Sequence, residues 1–174
     1  MTICLVGSEM CIRDSSRPYG IDLDSQGHAW SVLLGTNLIA RVDKDSFELS
    51  TFEIPRAAAR PRRIAITSDD HIWYGDYQEG YLGRFDPSTE SFTEWRAPGV
   101  DKSGPYAMGA DKLDRLWFVE TWQKPNRFVG FDPKSETFFS LSDVPSGGGT
   151  VRHMYYDAGS HSFWFGTDTN QLGQ

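Results

Sequence analysis

With 174 residues, and 17 Lys and Arg against 24 Asp and Glu, the chain carries a formal charge of −7, which argues against a nucleic-acid or anionic-membrane partner. No apolar run approaches the roughly 18 to 20 residues that span a bilayer. Aromatics at 14%, with 17 Gly and 9 Pro, favour many short strands joined by turns over long helices, within one compact unit.

The first 15 residues, MTICLVGSEMCIRDS, lack a basic n-region and hold too short an apolar run for a signal peptide. They share nothing with the periodicity that follows. The segment resembles a read-through translation of a sequencing adapter and is set aside as a non-native or disordered leader. Cys4 and Cys11 go with it, so the body of the chain is cysteine-free and neither thiol speaks to a disulfide, a metal or a redox compartment.

From residue 16 onward the chain repeats itself. PYGIDLDSQGHAW (18 to 30), PRRIAITSDDHIW (61 to 73) and PYAMGADKLDRLW (105 to 117) each place Pro twelve residues before Trp, and the Trp spacings are 43 and 44. A divergent fourth copy, VRHMYYDAGSHSFW (151 to 164), puts Val151 in the proline slot and extends the spacing to 47. Each copy parses as four short strands: one after the Pro, one around the Trp, one such as LIARVD and one such as ELSTFEI. Asp86-Pro87 and Asp132-Pro133 mark tight turns, because Pro presets φ and Asp caps the backbone. Between the first and second copies, Arg56, Arg60, Arg62 and Arg63 read as a solvated loop.

Four-stranded units recurring every ~40 to 45 residues are the signature of a β-propeller, whose radially stacked blades bury aromatics between sheets. The expected fold is therefore all-β, a propeller fragment with blades at about 16–56, 57–100 and 101–146 and a partial one at 147–174. Trp30, Trp73, Trp117 and Trp164 are expected to pack between blades. NQLGQ (170 to 174) matches the opening of a third strand, so the last copy stops mid-blade. A ring open at both ends would leave bare sheet edges and be marginal in isolation.

The phrase P-x-x-[I/M]-x-x-D, then W-F-x-E or a variant, then N-x-I-x-R-x-D-P, resembles the repeat of the virginiamycin B lyase (streptogramin B lyase) family over essentially residues 17 to 174. The resemblance implies a seven-bladed ring and a bacterial enzyme that opens a cyclic depsipeptide by elimination at its ester linkage, with Mg²⁺. It also implies a catalytic histidine just after the repeat proline and a glutamate closing W-F-x-E, both facing the hub. Elimination needs a base for a proton adjacent to a carbonyl, and magnesium needs hard oxygen ligands.

The slot after proline holds Tyr19, Arg62 and Tyr106, with Arg152 in the fourth copy and His153 beside it. The slot closing the tryptophan phrase holds Leu33, Asp76, Glu120 and Thr167, and WFVE (117 to 120) alone matches in full. Glu120 and His153 are thus the catalytic candidates, Glu120 and Asp76 the metal candidates, and Tyr19, Arg62, Tyr106 and Trp122 the ligand-binding candidates. For each carboxylate the structural alternative is a strand-end group satisfied by solvent or an arginine. Trp122 could rim a pocket or pack within a blade. His28, His71 and His161 fall in turn regions and are expected at the solvent.

Three functions compete. The first is a carbon-oxygen lyase acting on a cyclic ester or depsipeptide, with its histidine base outside this chain. The second is a non-catalytic propeller that binds a small ligand or protein partner at its hub, where Arg and Tyr favour an anionic or sugar-like ligand. The third is a hydrolase resembling the gluconolactonase and regucalcin propellers. A monomer is expected for the full-length protein, and a periplasmic or secreted setting is a family-level expectation only.

Overall fold

A computed structural model of the chain describes residues 16–145 and 149–174. The leader, with Cys4 and Cys11, lies outside the described residues. The rest is a succession of antiparallel meanders. The first sheet runs β1 (Pro18–Leu23), β2 (Ala29–Leu33), β3 (Leu38–Val42), β4 (Leu49–Glu53). The second runs β5 (Pro61–Ile66), β6 (Ile72–Asp76), β7 (Tyr81–Asp86), β8 (Ser91–Arg96). The third runs β9 (Pro105–Ala110), β10 (Leu116–Glu120), β11 (Arg127–Asp132), β12 (Thr137–Asp143), and the fourth β13 (Val151–Asp157), β14 (Ser162–Thr167), β15 (Leu172–Gly173). Strand order follows chain order in all four sheets, as short turns between sequential strands dictate. This is the all-β propeller architecture that the repeat predicts.

Turn chemistry sets the repeat. In the first blade Asp24 Oδ1 accepts the N–H groups of Gln26 and His28 at 3.0 and 2.9 Å, while its Oδ2 accepts the Trp30 indole N–H at 2.8 Å. Asp111 does the same for Trp117 in the third blade at 3.0 Å, and Thr67 replaces the carboxylate under Trp73 at 3.1 Å. One aspartate therefore both closes the first hairpin and satisfies the buried indole. The next hairpins are capped likewise: Asp86 and Asp132 accept N–H groups two residues on, from Ser88 and Lys134, at 2.8 and 2.9 Å.

Blades are joined by aromatic packing. Trp30 lies 5.9 Å from Phe85 of the next sheet, Trp73 5.8 Å from Phe131, and Trp117 6.0 Å from Phe163. Each interface closes over its own apolar cluster, such as Trp30, Ile39, Ile64 and Phe85 between the first two sheets. Burying a side chain of this size contributes about 1.5–3 kcal/mol. Trp164 departs from the expected pattern: it is 40% exposed, because no further sheet among the described residues covers that face.

The turns also reach across blades. Ser25 donates its backbone N–H and hydroxyl to the two oxygens of Asp70, at 2.8 and 2.6 Å, and Ser68 donates identically to Asp114. In the third gap Lys112 Nζ meets His161 Nε2 at 2.9 Å. Asp70, Asp114 and His161 all have left-handed backbone (φ 61°, 60° and 56°). His28 is a correction to the turn-region reading: it is buried, accepting the Lys44 N–H at 3.2 Å with Asp43 3.3 Å away.

Candidate functional site

The first strands of successive sheets, β1, β5, β9 and β13, lie side by side along the chain order, and each carries a β-bulge at its start. Pro18 pairs with Leu33, Pro61 with Asp76, Pro105 with Glu120 and Val151 with Thr167, and one extra residue then intervenes before regular pairing resumes. A bulge re-aims the side chain it contains. The residue after the proline slot is therefore presented in the same way in every blade.

Three such residues meet. The Tyr19 and Tyr106 hydroxyls hydrogen-bond to each other, their rings edge-on with centroids 6.1 Å apart. Arg62, from the blade between them, holds its guanidinium carbon 4.8 Å from the Tyr106 ring centroid, 6.0 Å from that of Tyr19 and 3.8 Å from that of Tyr77. Arg63 lies 5.0 Å over Tyr19. Tyr77 extends the aromatic surface, with its centroid 5.6 Å from Tyr106 and 5.0 Å from Trp122. Trp122 in turn lies against Gly104, where an added Cβ would stand 2.7 Å from the indole.

A cleft of about 510 Å³ opens here, lined by Arg62, Tyr77, Tyr106, Trp122, Lys124 and Arg152. Beyond the Arg62–Tyr77 pair a second cleft of about 700 Å³ adds Arg17, Arg60 and Gln78. An acidic chain thus gathers cations on one face. The buried Arg62 Nε has no hydrogen-bond partner among the described residues. The reading of the arginines as a solvated loop is corrected by this geometry: Arg62 and Arg63 belong to β5 and are half-buried. Arg56 sits 3.5 Å over the Tyr81 ring with its Nε 2.9 Å from Glu94.

The phenol pair is electrostatically unequal. Burial alone would push the Tyr106 hydroxyl up, but its hydrogen bond with Tyr19 and the charges of Arg62 and Arg152 outweigh this and hold it below the ordinary tyrosine value. Tyr19 is pushed up, by its hydrogen bond to Tyr106 and by burial.

The two carboxylate candidates are engaged elsewhere. Glu120 is fully buried; its Oε1 accepts the Gly99 N–H at 2.5 Å and its Oε2 accepts Arg127 Nε and Nη2 at 2.8 and 2.5 Å. Asp76, also fully buried, caps the following turn through Oδ1, which accepts the N–H groups of Arg60, Gln78 and Glu79 at 3.0 to 3.2 Å. Burial raises its pKa, and its Oδ2 has no partner among the described residues. Neither residue lines the clefts that Arg62 lines. Among the described residues no three His, Cys, Asp or Glu groups stand together as a metal site. Glu120 and Asp76 as arranged therefore do not fit a magnesium ion at the cleft.

His153 is exposed and lines a different cleft of about 390 Å³ with Met154, Tyr155 and Trp164 on the fourth sheet. Burial and then Arg63 lower its pKa. The fold therefore brings together Tyr19, Arg62, Tyr106 and Trp122 and leaves His153 and both carboxylates apart from them. Tyr77 and Lys124 are the residues that reading the repeat missed. Tyr77 was detectable in principle, as an aromatic directly following the strand-end carboxylate slot.

The sequence model of the virginiamycin B lyase family matches residues 7–173, a span that begins inside the leader. No curated protein matches the chain. A catalytically inactive virginiamycin B lyase from Staphylococcus aureus with quinupristin is similar in fold, with a TM-score of 0.78 and 24% identity over 93% of this chain and 56% of that one. A streptogramin B lyase structure has a TM-score of 0.77 at 24% identity, covering 91% of this chain and 54% of that one. Hydrazine synthase of Kuenenia stuttgartiensis has a TM-score of 0.77 at 12% identity, covering 95% and 46%. The chain spans about half the length of these structures, and the likeness is one of fold.

Proposed function

Since the chain belongs to the virginiamycin B lyase family, we propose that its hub cleft binds a small ring-bearing ligand with carbonyl or carboxylate oxygens. The observation that carries this reading is the convergence of Tyr19, Arg62 and Tyr106, from three blades, beside Tyr77 and Trp122. Trp122 and Tyr77 offer apolar ring faces. Arg62 offers a planar donor fork with Nε still unpaired.

The finer reading is that binding serves carbon-oxygen bond elimination in a cyclic ester or depsipeptide. Family membership favours it over recognition alone. No step is routed through magnesium, since Glu120 is held by Arg127 and Gly99 and Asp76, whose Oδ2 is unpaired among the described residues, does not line the cleft.

Quinupristin is the probe of choice, being the ligand of the inactive lyase structure. Titration followed by tryptophan fluorescence should show saturable binding. Arg62→Gln and Trp122→Phe, with unchanged circular dichroism, should each weaken it about tenfold or more, the effect of losing roughly 1.4 kcal/mol. Binding unaltered in both variants would remove the hub from the account.

A further inference from the structure

The cations of the hub differ from those elsewhere in the chain in what balances them. Arg41, Arg56, Arg96, Arg115 and Arg127, none of which lines the hub clefts, each pair with an aspartate or glutamate. Arg17, Arg60, Arg62 and Lys124 line those clefts, and none of them takes part in an ion pair among the described residues. No Asp or Glu lines either cleft. We propose that the hub selects a ligand whose aromatic ring carries an oxyanion, a carboxylate or a phosphate, with Arg62, Lys124 and Arg152 around the anion and Trp122 beside the ring. The proposal rests on the ligand-binding reading above and narrows it to a charge class.

The bonds these side chains do make leave their charge in place. Arg60 Nη1 donates to the carbonyl oxygens of Ala57 and Ala59, at 3.1 and 2.5 Å, which satisfies the donor without supplying a countercharge. Arg62 lies over the rings of Tyr77 and Tyr106, and its buried Nε has no hydrogen-bond partner among the described residues. Arg152 is the exception: its Nη2 is 3.3 Å from Asp168, but the side chains are 59% and 40% exposed, and a solvated pair of this kind holds its members weakly. Tyr106 registers the resulting field. Against burial, and together with its bond to Tyr19, the charges of Arg62 and Arg152 hold its hydroxyl below the ordinary tyrosine value.

A concave site lined by one sign of charge concentrates small ions of the other sign. Here that site belongs to a chain of net charge −7, which repels an extended polyanion, so the anion is a small one. Guanidinium groups present planar donor forks that match carboxylate and phosphate oxygens, and such charge-assisted bonds are roughly twice as strong as neutral ones. Trp122 lines the same cleft as Arg62, Lys124 and Arg152 and is 36% exposed, so ring and anion meet in one volume. At about 510 Å³ the cleft lies within the range of roughly 300–1,000 Å³ usual for small-molecule sites.

The test uses the 174-residue chain and ligand-detected NMR titration with three probes: 3-phenylpropionate, its neutral isostere 3-phenylpropionamide, and phenyl phosphate. At least one anion should bind about tenfold or more tighter than the amide, as expected for charge-assisted bonds the amide cannot make, and the tighter anion names the oxyanion. Arg62→Gln and Arg152→Gln, with circular dichroism unchanged, should each reduce that preference, while Arg62→Lys, which keeps the charge and loses the fork, should retain part of it. Arg152 is exposed enough that its variant tests the site even where Arg62→Gln fails to fold. Lys134→Gln removes the same charge from an exposed turn outside both clefts and should leave the preference as in the parent. Equal affinity for anions and amide, a preference unchanged in Arg152→Gln and in the folded Arg62 variants, or an equal loss in Lys134→Gln would each overturn the proposal. Binding of quinupristin without binding of any anionic probe would also overturn it and leave the ligand-binding reading standing. Failure of quinupristin and all three probes to bind would instead overturn that underlying reading.

Discussion

Arg127 grips Glu120 from the neighbouring strand: the two are register partners in β10 and β11, and Nε and Nη2 both reach Oε2, at 2.8 and 2.5 Å. With the Gly99 N–H on Oε1 at 2.5 Å, the carboxylate ties β10 to β11 and to the turn before β9. The carboxylate that closes the W-F-x-E phrase is thus part of the frame in this chain. Removing one member of a buried pair leaves the other uncompensated. Glu120→Ala is therefore expected to cost about 3 kcal/mol in urea denaturation, the low end of the range because the Arg127 side chain is 23% exposed. Hub-ligand affinity of the folded fraction should stay within twofold. A stable variant with abolished binding would return Glu120 to the site.

The serine-aspartate clasps between blades predict a modular stability loss. Asn tolerates the left-handed backbone of Asp70 and Asp114, so Asp70→Asn and Asp114→Asn isolate the weakened bond from the Ser25 or Ser68 hydroxyl. Each should lower unfolding free energy by about 1 kcal/mol. The two clasps lie in different blade gaps, so the double variant should sum the singles within ~0.5 kcal/mol. Strong non-additivity in denaturant titration would show that the gaps are coupled.

Stability should peak in mildly acid solution. Burial raises the Glu94 carboxyl against the pull of Arg56 and Tyr74, and raises Asp76 similarly. Such groups bind their proton more tightly folded than unfolded, so their contribution favours the fold at low pH and is lost as pH rises through the folded pKa. Asp43 works oppositely: the N–H groups of Ser46 and Asp45 hold it at about 2. Its contribution is present above the ordinary carboxylate value of roughly 4 and is lost as pH falls toward the folded value. Glu94→Gln should therefore flatten the decline in urea midpoint above pH ~4.5 and leave the acid limb unchanged. An unaltered slope would mean that Glu94 is not the group responsible.

Gly104 supports the hub without touching a ligand. Its φ of +54° disfavours any side chain, and a Cβ would stand 2.7 Å from the Trp122 ring. Gly104→Ala should cost about 1–3 kcal/mol through backbone strain and displace the indole from Tyr77. The expected readout is a shifted tryptophan emission together with weakened ligand binding. Retained affinity with the same stability loss would show that Trp122 is not part of the binding surface.

Residues 16–174 show how far a repeat can be read. Pro-to-Trp spacing and capping aspartates specify strands, turns and the strand position of each Trp, because these depend on neighbours a few residues away; whether the Trp is buried depends on the next sheet, as Trp164 shows. The equivalent slots after proline were legible for the same reason. Which slot residues touch was not, since Tyr19 and Tyr106 are 87 positions apart and meet only through the curvature of successive sheets and the bulge that lifts each side chain out of the pleat. The fates of Glu120 and Asp76 were likewise settled by tertiary partners: Arg127 and Gly99 for one, the backbone of Arg60 for the other. Local pattern decides where a side chain sits on its strand, and the packing of one blade on the next decides what it meets there.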